Sequence, residues 1–178
     1  MGLLFGFTAL LIITAVQLSG EYLSLMMGLS IANVVDPVTR QSVPVIGQIY
    51  YIIALLIFLF IDGHHWLIAA VQTSYSIVPI GFDFPGIQLV LERVMTLSSQ
   101  MFMIALMLAA PLMGILFVVE VALGFMAKVM PQMNIFVVGL PLKIYIGLIV
   151  MVMVMPMTRI FIDNVFKTLC FYLYKLLI

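Results

Sequence analysis

Asp62-Gly63-His64-His65-Trp66 gathers the densest set of reactive side chains in the sequence. A carboxylate and two imidazoles are metal-ligating types. Neighbouring residues on a helix diverge by about 100°, however, so adjacent histidines chelate poorly. The chain holds no other histidine, and spacing fixes no second carboxylate nearby. The pentapeptide therefore reads as a turn. Gly63 ends one helix, Asp62 or the residues after it cap the next, and Trp66 anchors at an interface. Proton sensing by the histidine pair is the secondary reading. No metal and no cofactor is expected.

Glu21 and Glu120 sit inside apolar stretches. Carboxylates at membrane depth are costly and persist when they are paired or functional. Pairing with a base, within the chain or on a neighbouring subunit, is the expected role. Lys128 and Lys143 are the candidate counter-charges within the chain. A proton relay would need a visible series of such groups. No nucleophile–base arrangement, glycine-rich phosphate loop or carboxylate pair stands out, so enzymatic activity is not expected. Cys170 is the single cysteine, which excludes an intrachain disulfide. It reads as a small packing hydrophobe.

A second signal is the polar insert Ala32-Asn33-Val34-Val35-Asp36-Pro37-Val38-Thr39-Arg40-Gln41-Ser42-Val43-Pro44. Asp36-Pro37 disfavours helix at Asp36, and Asp36 and Arg40 place opposite charges in one loop. Such a backbone cannot face lipid, because its N–H and C=O groups would lack partners. It belongs in water, at a bilayer surface or inside a protein-lined passage.

The elements that carry these residues belong to an integral membrane protein. Of 178 residues, 66% are hydrophobic and 8% charged, against roughly 45–50% and 25% for an ordinary soluble domain. Mean hydropathy is +1.34. Seven basic residues balance seven acidic ones, which leaves no basic patch for nucleic acid. Charge-free runs cover 1–20, 41–61, 63–82 and 94–119, followed by shorter runs at 129–142 and 144–158. Val45–Ile61 would make a helix of about 25 Å, short for a span. Residues 63–82 read as a hairpin return ending at Pro79-Ile80-Gly81, and Asp83-Phe84-Pro85-Gly86 as a turn. Pro111 should kink the long run around it.

Pro131, Gln132, Asn134, Gly139 and Pro141 mark a bent connection within one helical hairpin, running from Pro131 to Lys143. The tail from Arg159 is amphipathic, with Arg159, Asp163, Lys167 and Lys175 on one stripe, as in a helix lying at or leaving a membrane surface. Met151-Val152-Met153-Val154-Met155 alternates like a strand, but an isolated strand cannot span lipid, so it reads as helix. Fifteen methionines fill irregular apolar surface. Short, broken and polar-interrupted helices survive best when other subunits bury their backbone.

Several motifs then coincide. Gly20-Glu21-Tyr22, Met27-Gly28-Leu29-Ser30-Ile31-Ala32-Asn33, Asp36-Pro37, Pro44-Val45, Asp62-Gly63-His64-His65 and Pro131-Gln132-Met133-Asn134-Ile135-Phe136-Val137-Val138-Gly139-Leu140-Pro141-Leu142-Lys143 resemble the flagellar biosynthetic protein FliR family. The last is the most specific. The family carries a further apolar portion upstream of the region matching Gly2–Gly6, so the chain resembles an N-terminally shortened member.

The resemblance implies an all-α membrane protein whose kinked helical hairpins pack in a hetero-oligomeric export gate. One membrane domain over 1–178 is expected, with hairpins and a plug-like loop (32–44) in 1–86, and a hairpin plus amphipathic tail in 87–178. It implies a core subunit of the flagellar type III export gate in the bacterial inner membrane, at the flagellar basal body. FliP-like and FliQ-like subunits, an FlhB-like component, unfolded exported proteins and the lipid bilayer would be its partners. Asn33, Asp36, Pro37, Arg40 and Pro44 would lie in the loop that plugs the closed pore. Glu21, Glu120 and Lys143 would contact neighbouring subunits. The alternative is a small polytopic transporter or ion-channel subunit using Glu21, Asp62 or Glu120. A membrane enzyme with a histidine-bound metal ranks third.

Overall fold

The computed structural model describes residues 2–29, 45–77, 87–132 and 134–177, and all regular structure among them is helical. The order is α1 (Gly2–Met26), α2 (Val45–Phe60), α3 (Gly63–Ile77), α4 (Ile87–Val129) and α5 (Ile135–Leu177). Met151–Met155 lies within α5, as helix. The loop with Asn33, Asp36, Pro37, Arg40 and Pro44 lies outside the described residues, as do Pro79-Ile80-Gly81 and Asp83-Phe84-Pro85-Gly86.

Helix α1 is the hub. Its buried residues Phe5, Thr8, Ile12, Ala15, Val16, Ser19, Leu23 and Ser24 recur at helical spacing. It packs chiefly against α2 and α4. Small residues on that stripe let backbones approach closely. A Cβ built on Gly20 would lie 2.8 Å from Gly47 Cα and 2.9 Å from the Ile46 carbonyl oxygen of α2. Two of the three buried hydroxyls on the stripe turn back to their own helix. Thr8 Oγ1 donates to the Leu4 carbonyl at 2.8 Å, and Ser19 Oγ to the Val16 carbonyl at 2.6 Å. Those two add no unpaired polar group to the apolar interface, whereas Ser24 Oγ is buried with no hydrogen-bond partner among the described residues.

The core continues from α1 into Tyr50 and Ala54 of α2, Leu108, Ala109, Leu112 and Leu116 of α4, and Met151, Ile162 and Phe166 of α5. Phe58 and Phe166 close it with ring centroids 5.2 Å apart. The second half of α5 therefore serves this core through Thr158, Ile162 and Phe166. The charged stripe runs beside that buried row, and Lys167 reaches Asp163 at 2.6 Å.

Among the described residues, three helical segments are long and apolar enough to cross a bilayer: Gly2–Met26, Val94–Val129 and Val137–Lys167. The pair Val45–Phe60 and Gly63–Ser76 makes a fourth only if its two arms count as one span, bent by 63°. The chain thus bends at Asp62 instead of returning as a tight hairpin. Pro111 sits inside α4 without ending it, and Pro141 and Pro156 sit inside α5. The connection between α4 and α5 is only Met130–Asn134. Gly139 and Pro141 belong to the early turns of α5, so the break is shorter than the predicted Pro131–Lys143 stretch. Pro141 is the seventh residue of α5, past the turn whose N–H groups are unpaired anyway, so it removes one bond of the ladder, yet the helix runs through it.

If backbone contact between Gly20 and Gly47 sets the α1–α2 distance, Gly20→Leu should destabilise the purified protein by about 1–3 kcal/mol. Gly6→Leu, where an added Cβ meets nothing within 4 Å, should be close to neutral. Unfolding of both variants in mixed micelles tests this, and equal stabilities would show that the close approach does not matter.

Candidate functional site

Gly28 ends α1 with a left-handed φ of 77°. Around it, the Leu29 N–H donates to the Ser24 carbonyl at 3.1 Å and the Gly28 N–H to the Leu25 carbonyl at 3.0 Å. This nested pair is the Schellman closure, which requires φ > 0 at one residue and so favours glycine. It fixes the direction in which the chain leaves α1. Met27, just before it, is fully buried against α5: a Cβ on Gly147 would overlap the Met27 side chain. The end of α1 is thereby pinned to the second helix of the α4–α5 hairpin.

A cleft of about 410 Å³ opens beside this pin, between Leu25, Met26 and Gly28 of the α1 end and Glu120, Leu123 and Lys143 of the hairpin. Lys143 Nζ donates to Glu120 Oε1 at 2.7 Å across the two helices. The lysine side chain is 18% exposed and the carboxylate 55%. The pair therefore lies at the cleft wall with the acid facing outward. Gly139, one turn before Lys143, is buried, and an added Cβ would come within 3.2 Å of Leu123 Cδ1. That close packing sets α5 near enough to α4 for the ion pair to form.

Of the charges singled out in the sequence, the structure joins Glu120 with Lys143 and leaves Lys128 at the exposed end of α4. Glu21 is half-buried on α1 and accepts from Gln17 Nε2 at 3.2 Å. It is not part of the cleft wall. Pro131, Gln132 and Asn134 are exposed in the hairpin connection.

The turn at Asp62 departs from the expectation. Asp62, not Gly63, takes the left-handed conformation, at φ 56°. Its N–H donates to the Leu59 carbonyl, closing α2, and its carbonyl accepts from the His65 and Trp66 N–H groups, opening α3. Aspartate tolerates this region better than most residues. Gly63 is needed for space instead: a Cβ there would run into the Phe58 ring.

Two contacts were not read from the sequence. Arg159 lies over the Phe60 ring at 5.1 Å and ties α5 to the end of α2. Met27 seats against Gly147. Neither pair is close in sequence, so no spacing rule could find it. Gly28 after a helical run was the one local signal available for the cleft.

Residues 1–169 match the family model described as bacterial export proteins, family 1. The flagellar biosynthetic protein FliR of Bacillus subtilis is 39% identical over 169 residues, covering 94% of this chain and 65% of its own length. FliR of Escherichia coli is 36% identical over 167 residues, covering 94% and 64%. FliR of Aquifex aeolicus is 31% identical over 170 residues, covering 93% and 65%. The chain thus spans a little under two thirds of the length of these curated relatives.

A double-mutant cycle on Glu120→Gln and Lys143→Gln should return a coupling of about 0.5–1 kcal/mol in detergent, where water reaches the acid. The value should be larger in bilayers, where the effective dielectric falls. Zero coupling in both media would remove the pair from any role in holding the hairpin.

Proposed function

This chain belongs to the FliR family of bacterial export proteins, and on that premise we propose that it is a core subunit of the flagellar type III export gate. In this reading it lines part of the channel for unfolded flagellar proteins and performs no chemistry of its own. Its place is the bacterial inner membrane at the flagellar basal body. Its neighbours are FliP-like and FliQ-like subunits and an FlhB-like component.

One observation carries the reading. Helices α4 and α5 each run 43 residues, about 64 Å at 1.5 Å per residue, against a hydrocarbon core of about 30 Å. The bilayer cannot cover both ends of such a hairpin. Yet large apolar side chains are exposed along its whole length, among them Met95, Phe102, Phe125, Val129, Val137 and Ile160, so whichever half lies in lipid leaves the other uncovered. An apolar surface beyond the reach of lipid needs a protein to cover it. A hetero-oligomeric gate supplies one. The transporter reading finds less support, because Glu120 is already occupied by Lys143 and Glu21 by Gln17.

The test is co-expression with FliP-like and FliQ-like subunits, extraction in mild detergent and native mass spectrometry. A complex with unequal copy numbers is the expected result, and recovery of this chain alone would reject the gate reading. Val129→Asp with Val137→Asp should lower recovery of the complex at least tenfold, with helical content of the isolated chain unchanged. Asn33, Asp36, Pro37, Arg40 and Pro44 are assigned in this proposal to a plug. The loop is polar and proline-stiffened, and contacts between such exposed charges are worth about 0–1 kcal/mol, weak enough for a substrate to displace. Shortening it between Val35 and Ser42 should leave assembly intact and raise ion leakage. Closed-channel conductance in an assembled deletion variant would reject the plug.

A further inference from the structure

We propose that Asp62, His64 and His65 form a divalent-cation site of the zinc type that fixes the bend between α2 and α3. The proposal is independent of the gate reading, since it rests on the junction alone.

Adjacent histidines on a helix are expected to point apart, but here their ring centroids lie 4.2 Å from one another with planes inclined by 40°. One ligand atom from each of Asp62, His64 and His65 falls within 4.8 Å of the others. Asp62 Oδ1 and His65 Nδ1 are 3.2 Å apart, close to the edge of about 3.3 Å in a tetrahedron with bonds of about 2.0 Å. A bound ion would draw the remaining donor, on His64, in from within 4.8 Å by side-chain rotation.

The backbone explains the convergence. The left-handed φ of Asp62 sets its carbonyl over the first turn of α3, where it accepts from the His65 and Trp66 N–H groups. Gly63 adds no side chain between the donors. His64 Nδ1 supplies a separate indication: it is shielded from solvent and has no hydrogen-bond partner among the described residues. A buried ring nitrogen in that state is normally satisfied by something. The outer face stays open, because the side chains of Asp62 and His65 are 69% and 72% exposed. An ion can enter, and water can fill the remaining position.

Two imidazole nitrogens and one carboxylate suit zinc and its late first-row neighbours better than magnesium or calcium. All three ligands fall within four consecutive residues. A bound ion therefore acts on the junction itself, holding the local dihedrals that set the 63° bend.

The full chain, purified in mild detergent and stripped with a chelator, would be titrated with zinc by calorimetry and with cobalt as a spectroscopic probe. One ion per chain is expected. His64→Ala and His65→Ala should each weaken binding at least tenfold and abolish the nitrogen-ligated cobalt signal. Asp62→Asn, which keeps a residue tolerant of φ > 0, should also weaken binding by about tenfold while leaving helical content unchanged. Because these are the only histidines in the sequence, zinc should also protect the native chain from diethyl pyrocarbonate. That readout needs no variant to fold. Absence of stoichiometric binding, binding that survives both histidine substitutions, or failure of zinc to slow histidine modification would each overturn the site.

Discussion

The arrangement depends on how closely the end of α1 can approach its neighbours. Gly20 meets the backbone of Gly47 on one side, and Met27 fills the space left by Gly147 on the other. In lipid no hydrophobic driving force pulls helices together, so packing distance carries much of the association. Two glycines on partner helices permit that distance, and every larger contact follows from it. Tyr50 and Ala54 are buried only because α2 lies flat against α1, and the α4–α5 hairpin is registered on α1 through Met27.

That registration divides the hairpin. Up to Leu116, α4 presents Ala105, Leu108, Ala109 and Leu112 to the chain's own core at helical spacing. Beyond it only Leu123 is buried among the described residues of α4, while Phe117, Val118, Phe125 and Val129 are exposed. The two arms would have little to hold them together in this outer half. The Gly139–Leu123 contact and the Glu120–Lys143 bond supply that cohesion. The single interhelical ion pair between side chains among the described residues thus stands where the apolar core has run out.

Much of the helix content could be read in advance, because long apolar runs bounded by Gly and Pro have few other solutions at this composition. Val45–Phe60 was legible to within a residue, and Lys143 was one of two candidate partners for Glu120. The misses have physical causes. Proline signals overstated the break after Pro131, since α5 runs through Pro141 as it does through Pro156. At the junction, residue type suggested Gly63 as the left-handed position, whereas Phe58 packing demands glycine at 63 and shifts the strain to Asp62. Arg159 over Phe60 is a tertiary contact that no local pattern encodes.

The junction at Asp62 ties these themes together. Neither α2 nor α3 spans a bilayer alone: at 16 and 15 residues each reaches only about 22–24 Å. Their ends must therefore be held by the protein and not by the two membrane surfaces. Phe58 stacks on Phe166, and Phe60 lies under Arg159, so both contacts grip the last turn of α2 from α5. The bend itself is closed by backbone hydrogen bonds through one aspartate. Helix α3 is held on α1, where Phe5 packs against Leu67, Ala70 and Val71, while its apolar residues Trp66, Ile68 and Tyr75 remain exposed. A helix too short to span a bilayer alone thus keeps one face on the chain's own core and leaves an apolar face uncovered by it. The α4–α5 hairpin leaves apolar surface exposed for the opposite reason, because its helices are longer than a bilayer is thick.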